Sequence, residues 1–320
     1  MKNTDDFQKQ FEEDVRAGLT ANPKFLYSKY FYDEIGDKLF QDIMEMPEYY
    51  LTKCEYEIFQ NQKEAIIDSF KIENQFDLIE LGAGDGKKTK ILLEFLSQKN
   101  IEFQYFPIDI SQHALDDLEL SLAKELPDVN VKPRQGMYFD VLKQLADYDQ
   151  NKKVIVVLGS NIGNLLHPQA IEFLKSIAEA MGENDLLLMG FDQKKDPQVI
   201  LDAYNDKSGI TENFNKNLLR RINKEMNADF DIEEFLHWPT YNPETGTVKS
   251  FLVSKKEQFV NIEKLQLKVQ FQKYESIHTE ISQKYDDETV SWLASEAGLE
   301  IIEVFSDEKM YYKDYVFRRK

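Results

Sequence analysis

A single cysteine, Cys54, stands in 320 residues, so no disulfide can form within the chain and no cysteine-rich metal cluster can be built. The four histidines, His113, His167, His237 and His278, are scattered without HxxxH or CxxC spacing, and no metal site is expected. Apolar runs fall well short of the ~20 residues that a membrane-spanning helix needs. The opening segment, MKNTDDFQKQF, has no apolar stretch behind a basic head and does not read as a secretory signal. Basic residues are also short: 39 Lys and Arg face 58 Asp and Glu, a formal charge of -19. That excess repels phosphate backbones and anionic lipid surfaces, so neither nucleic acid nor membrane is an expected partner. What remains is 42% hydrophobic and 30% charged, the composition of an ordinary globular chain. A monomeric cytoplasmic protein is the expectation.

No internal repeat or low-complexity tract is present, so organisation has to be read from rhythm. From about residue 76, short apolar runs alternate with helical periodicity, the pattern of βαβ units and a parallel sheet. Phe76–Leu81 reads as a strand, 87–96 as a helix with leucines on one face, 102–108 as a second strand and 115–126 as a second helix. A β-branched strand follows at 154–158, a helix at 169–181 and a strand at 185–191. After Asp192 the alternation stops. Residues 193–228 are helical, with Phe214, Leu218, Leu219 and Ile222 at apolar spacing, and 247–271 alternates as antiparallel strands. Helix 287–297, a Gly298 cap and strands 300–305 and 311–317 end the chain. The layout predicts two domains: an α/β core from 61–192 and 288–320, and a second α+β domain from 1–60 and 193–287. An insertion of this kind usually carries substrate specificity.

The sharpest local signal is Glu80-Leu81-Gly82-Ala83-Gly84-Asp85-Gly86, placed directly between the first strand and the first helix. Glycine there lets the chain turn tightly and lets a ligand approach the backbone. The next strand ends near Asp109, twenty-three residues after Gly86, where an acid can accept hydrogen bonds from both ribose hydroxyls. The spacing is GxGxG, not the GxGxxG of dinucleotide enzymes, and it looks like the first motif of Rossmann-like S-adenosylmethionine-dependent methyltransferases. A dinucleotide enzyme and a plain structural turn remain open on this motif alone. A second loop, Gly159-Ser160-Asn161-Ile162-Gly163-Asn164-Leu165, leaves the 154–158 strand and reads equally as a ligand contact or an ordinary turn.

Further residues narrow the choice. Pro23-Lys24, Tyr30-Phe31-Tyr32-Asp33, Leu39-Phe40, Pro47-Glu48-Tyr49-Tyr50, the glycine loop, the 159–165 run and Thr279-Glu280-Ile281-Ser282 occur in that order. From about residue 17 to the C-terminus the chain thereby resembles the histidine-specific N-alpha-methyltransferases of ergothioneine biosynthesis, whose wider superfamily also methylates indole amino acids. The resemblance implies a class I methyltransferase core with a mostly parallel seven-stranded sheet, S-adenosyl-L-methionine as methyl donor, and an amino acid as the small-molecule substrate. It implies trimethylation of the histidine α-amino group to hercynine.

Carried over position by position, the resemblance puts Gly82, Gly84, Gly86, Lys88, Asp109, Met137, Tyr138 and Gly159 on the cofactor. Tyr49 and Asn164 hold the substrate amine as the catalytic pair, Asn164 and Tyr204 contact its carboxylate, and Glu280 with Ser282 hydrogen-bonds the imidazole. Tyr32 and Phe40 wall the pocket, with Asn161 and Ser250 beside the substrate. Taken singly, Tyr32 and Tyr49 read as core aromatics, and Glu280 and Lys88 as solvated charges. Three positions depart from the family pattern: Gly136-Met137-Tyr138 replaces Gly-Asp-Phe, Asn161 replaces Thr, and Ser250 replaces a pocket methionine. The last two touch the substrate end, so an N-methyltransferase for another aromatic or indole amino acid, or an amine, is the alternative.

Overall fold

The computed structural model describes residues 2–136, 141–142 and 151–320. The chain divides into two units, one of residues 1–50 and 195–282, the other of 51–194 and 283–320. The boundaries expected at 60/61, 192/193 and 287/288 therefore fall at 50/51, 194/195 and 282/283. The first moves because the helix Tyr50–Ser69 belongs, from Leu51 onward, with the sheet unit.

The larger unit is built on one sheet. Its strands lie in the order Leu299–Ser306, Tyr312–Arg319, Leu186–Asp192, Lys152–Val157, Phe76–Leu81, Phe103–Asp109, Asn130–Val131, with Arg134–Gln135 also paired to Phe103–Asp109. The central strands are parallel, Leu78 lying opposite both Tyr105 and Val154. Tyr312–Arg319 alone is inserted in reverse, Tyr315 facing Met189 on one side and Val304 on the other. All six residues of Phe76–Leu81 and all seven of Leu186–Asp192 are buried, as expected of strands covered on both faces. This is the strand order of the Rossmann-like class I methyltransferase core. Among the described residues the sheet has eight strands, not seven, because Pro133 interrupts the edge between Val131 and Arg134: proline offers no N–H to a ladder. Helix starts are set by side chains in the ordinary way. Ser111 caps Gln112–Glu125 and Asp286 caps Asp287–Glu296, each accepting a backbone N–H.

The smaller unit holds a four-stranded sheet ordered Lys24–Phe25, Ser276–Gln283, Thr247–Ser254, Phe235–Asn242, and a separate hairpin of Gln258–Ile262 with Leu267–Phe271. Phe235–Asn242 was not expected as a strand: its outward positions carry Leu236 and Trp238, both exposed, and Pro239 breaks the pattern. As an edge strand it tolerates the proline. Helices Lys2–Thr20, Glu34–Glu45, Pro197–Tyr204 and Ile210–Met226 surround these strands. Phe11, Val15, Phe31, Phe214, Leu218, Leu252, Phe271 and Ile277 meet in one apolar core. Polar clamps orient the helices: Asp33 caps Glu34–Glu45 and also accepts the Asn217 amide at 2.8 Å, while Arg221 donates to the Tyr30 carbonyl at 2.9 Å.

Asp206 fixes the start of Ile210–Met226 by accepting from Ser208 Oγ at 2.6 Å and from the Ile210 and Thr211 amides, each at 2.9 Å. Burial disfavours its charge, but hydrogen bonds from Ser208, Thr211 and Ile210 outweigh that and hold its pKa at about 2. The native carboxyl thus stays ionised below the ordinary value near 3.9, so its contribution is present above about pH 4 and lost as pH falls toward 2. Asp206→Ala should lose about 2 kcal/mol at pH 7 in urea unfolding, and its stability should fall less than wild type between pH 4 and 2.

Candidate functional site

Two groups of candidate residues emerge, one in each unit. In the larger unit, Leu81 pairs with Ile108, so adjacent parallel strands end together. The Gly82 and Ala83 amides continue the pairing onto the Ile108 carbonyl at 2.7 and 3.2 Å, which folds the glycine turn over Asp109. Asp109 accepts from Gly84 N at 3.1 Å through one oxygen and from Ser111 N at 2.9 Å through the other. Each carboxylate oxygen thereby keeps acceptor capacity for a hydroxyl. At Gly84 the backbone is left-handed, φ +53°, and a side chain placed there would meet nothing within 4 Å. Space therefore lies over the turn, which fits a ligand laid across the backbone. Gly86, also left-handed, packs on Leu118.

Lys88 ion-pairs with Glu55, and its Nζ lies 3.6 Å from where a side chain on Gly159 would begin. Asn161 Oδ1 lies 4.0 Å from that same point. The structure thus brings Lys88, Gly159 and Asn161 to one place, at the end of Lys152–Val157. Ser160 takes a left-handed backbone, φ +55°, unusual for a residue with a side chain, and its hydroxyl accepts from Asp192 N at 3.0 Å. The short helix Asn161–Asn164 that follows is held by Tyr285, which donates to the Ile162 carbonyl at 3.1 Å, and leaves Asn164 exposed. Met137 and Tyr138 lie outside the described residues.

In the smaller unit, Tyr32, Phe40 and Tyr49 form a patch with Phe214. Ring centroids are 5.6 Å apart for Tyr32 and Phe40, 6.5 Å for Phe40 and Tyr49, and 5.8 and 5.9 Å from Phe214 to Tyr32 and Phe40. Glu280 and Ser282 stand two residues apart on Ser276–Gln283, hence on one face. The buried Ser250 hydroxyl donates to Glu280 Oε2 at 3.2 Å, and Tyr204 donates to Ser282 Oγ at 2.8 Å. Tyr204 has one proton, so contacting a carboxylate would require exchanging that bond. Within this unit the helix Ile210–Met226 supports both the aromatic patch and the polar strand: Phe214 joins the patch, and Asn215 accepts from Thr279, the residue before Glu280, at 2.7 Å.

The sequence reading missed Phe214 and Asn215 as site-shaping residues, treating Phe214 only as part of an apolar face. It also missed Glu55, which pairs with Lys88, and Tyr312 and Asp314, which lie against Glu55. Glu55 carries no local signal, being one acid among many on an amphipathic helix. Among the described residues, no group of three or more His, Cys, Asp or Glu could hold a metal ion, and no helix is long and apolar enough to cross a membrane.

The sequence profile of the family described as "Histidine-specific methyltransferase, SAM-dependent" matches residues 11–319. The chain belongs to this family. Among its relatives, histidine N-alpha-methyltransferase of Mycolicibacterium smegmatis is 35% identical over 286 residues, spanning 89% of this chain and 88% of that protein. The protein of the same name from Mycobacterium tuberculosis is 33% identical over 295 residues, 92% of this chain and 90% of its own length. Ergothioneine biosynthesis protein 1 of Schizosaccharomyces pombe is 27% identical over 302 residues, which cover 92% of this chain and 39% of that longer protein. The chain is thus an S-adenosylmethionine-dependent methyltransferase, and the family's donor and substrate positions can be set against the geometry above.

Glu80, the acid preceding the glycine turn, is buried and accepts from Thr89 Oγ at 2.6 Å and from the Tyr105 hydroxyl. Burial pushes its carboxyl up to about 7, against the opposing pull of those two donors. Between the unfolded value near 4.3 and about 7 the native state holds a proton that the unfolded chain has released, so stability declines as pH rises through that window. Glu80→Gln, which cannot ionise, should flatten the decline from pH 4.5 to 7 when unfolding is followed by urea titration.

Proposed function

We propose that this chain methylates the α-amino group of L-histidine three times, with S-adenosylmethionine as donor and hercynine as product. The observation that carries the substrate is the pairing of Glu280 with Ser250, and of Ser282 with Tyr204, on one face of one strand. A neutral imidazole has one N–H to donate and one nitrogen to accept. Glu280, steadied by the Ser250 hydroxyl, accepts the N–H. Ser282, already accepting a hydrogen bond from the Tyr204 hydroxyl, donates its own O–H to the other nitrogen. A phenyl or aliphatic side chain would leave both groups desolvated and unpaired, a penalty of about 1–3 kcal/mol for each.

The donor supplies an electrophilic methyl group on a positively charged sulfur. The residues that would hold it are those around the glycine turn: Asp109 for the ribose hydroxyls, Gly82, Gly84 and Gly86 for close backbone approach, and Lys88 with Gly159 beside them. The protein's remaining task is positional, since an amine reacts only with its lone pair free and in line. Tyr49 and Asn164 are neutral hydrogen-bonding groups, suited to orienting the amine without trapping it as ammonium. Tyr32, Phe40 and Phe214 form the apolar wall. An α-amino group titrates near 7.7–8.0, so turnover at subsaturating histidine should rise between pH 6 and 9, measured at constant donor.

On this reading 51–194 with 283–320 binds the donor and also supplies Asn161 and Asn164, and 1–50 with 195–282 carries the other amino-acid contacts. Ser250, where the family pattern has methionine, favours a second reading in which a different aromatic or indole amino acid is the substrate. Mass spectrometry of products from a mixture of amino acids and S-adenosylmethionine separates the two. Trimethylated histidine is the expected product, and a methylated indole amino acid with unmodified histidine would select the alternative. Glu280→Ala should raise the histidine KM by about 10–100-fold with S-adenosylhomocysteine affinity within about twofold of wild type. Asp109→Ala should do the reverse; equal effects of both variants on both ligands would contradict the two assignments.

A further inference from the structure

The side chains beneath Lys88 are not accounted for by the contacts above. Glu55, from the helix Tyr50–Ser69, is fully buried. Its carboxylate accepts the Gly159 amide through both oxygens, at 3.0 and 2.9 Å, and the Tyr312 hydroxyl at 2.8 Å. Its remaining partner is the Lys88 ammonium. Three segments outside its own helix therefore converge on one acid. The strand below is shaped for it: a side chain at Gly190 would come within 2.4 Å of Glu55 Oε1 and 2.3 Å of the Tyr312 hydroxyl.

Asp314, also fully buried, lies against the same acid, and among the described residues neither of its oxygens has a hydrogen-bond donor. A buried carboxylate without a donor is prohibitively costly, whereas a protonated carboxyl can itself donate to Glu55. The surrounding charges agree. Glu55 and Lys88 cancel, Glu80 is the next acid in the field of Lys88, and Asp192 is committed to the buried Lys284 at 2.7 Å. Burial and the Glu55 charge both raise the Asp314 pKa well above its ordinary value, and Lys88 only partly offsets them.

We infer that Glu55 is a positioning residue of the donor site: one shared proton joins it to Asp314, and its charge holds the Lys88 ammonium and the Gly159 amide where the donor is bound. The inference rests on the reading of Lys88 and Gly159 as donor contacts. Lys88 and Gly159 stand on different strand-to-helix loops, and among the described residues Glu55 is the one side chain bonded to both. Removing its charge leaves the ammonium to turn toward solvent, while the amide keeps an acceptor if glutamine takes its place.

The test compares wild type, Glu55→Gln and Asp314→Asn in the full chain. S-adenosylhomocysteine binding is measured by calorimetry, steady-state kinetics supply KM and kcat, and thermal midpoints report folding. Glu55→Gln should weaken S-adenosylhomocysteine about tenfold or more and raise the donor KM to match, with kcat at saturating donor and the histidine KM within about twofold. Loss of a merely structural contact would lower the thermal midpoint without separating donor from histidine. Asp314→Asn addresses the proton. In deuterium-exchange infrared spectra at pH 8.5, above the Glu80 titration, wild type should show a buried carboxylic-acid band that Asp314→Asn lacks. This readout needs no Glu55 variant to fold. Wild type that binds S-adenosylhomocysteine while Glu55→Gln binds it equally well overturns this inference alone, as does an infrared band unchanged in Asp314→Asn. Wild type that fails to bind S-adenosylhomocysteine overturns the donor reading as well.

Discussion

The in-register parallel pairing of Phe76–Leu81 with Phe103–Asp109 and Lys152–Val157 is the constraint on which the donor side of this protein depends. Because Leu81 faces Ile108 and Glu80 faces Val156, the three strands run out at a common edge. Everything placed just beyond that edge is then brought together: the glycine turn, Asp109, and the loop beginning at Gly159. A slip of one residue would turn every side chain to the opposite face. Burial on both faces makes such a slip prohibitive, so the hydrophobic core sets the precision of a polar site.

Polar groups inside the protein are organised by the same logic of mutual satisfaction. Glu80 accepts hydrogen bonds from Thr89 and Tyr105, and Asp192 pairs with Lys284 where both are fully buried. A buried charge is tolerable only when partners replace its water. On the smaller unit hydroxyls take part as well: Ser250 donates to Glu280, and Tyr204 donates to Ser282.

The order of strands and helices was legible because periodicity carries it. Phe76–Leu81 was placed to the residue, and the other central strands fell within two residues of their observed ends. The glycine loop was legible because glycines at that spacing between strand and helix have few other uses. The substrate residues proposed, such as Tyr49, Glu280 and Ser282, were not readable from pattern and came only through resemblance, since a tyrosine or glutamate looks alike in a pocket and on a surface. Glu55 and Asp314 were invisible for a deeper reason. Their roles depend on contacts across 33, 104 and 257 residues, and no local pattern distinguishes an acid that will be buried from one that stays wet. The edge strand Phe235–Asn242 was hidden by its own exposed Leu236 and Trp238, which erase the alternation that would have announced it.

The helix Lys2–Thr20 packs its Phe11, Val15 and Leu19 into a core whose other walls include Phe235, Leu252, Phe271 and Ile277. During synthesis those partners leave the ribosome more than 200 residues later, roughly 10–50 s at ordinary elongation rates. The intervening chain can form its parallel sheet in that time only up to Asp192, because the closing strands come last of all. The first helix must therefore wait as a sticky amphipathic segment on an unfinished protein, and nascent chains of this molecule should be clients of chaperones that shield such surfaces.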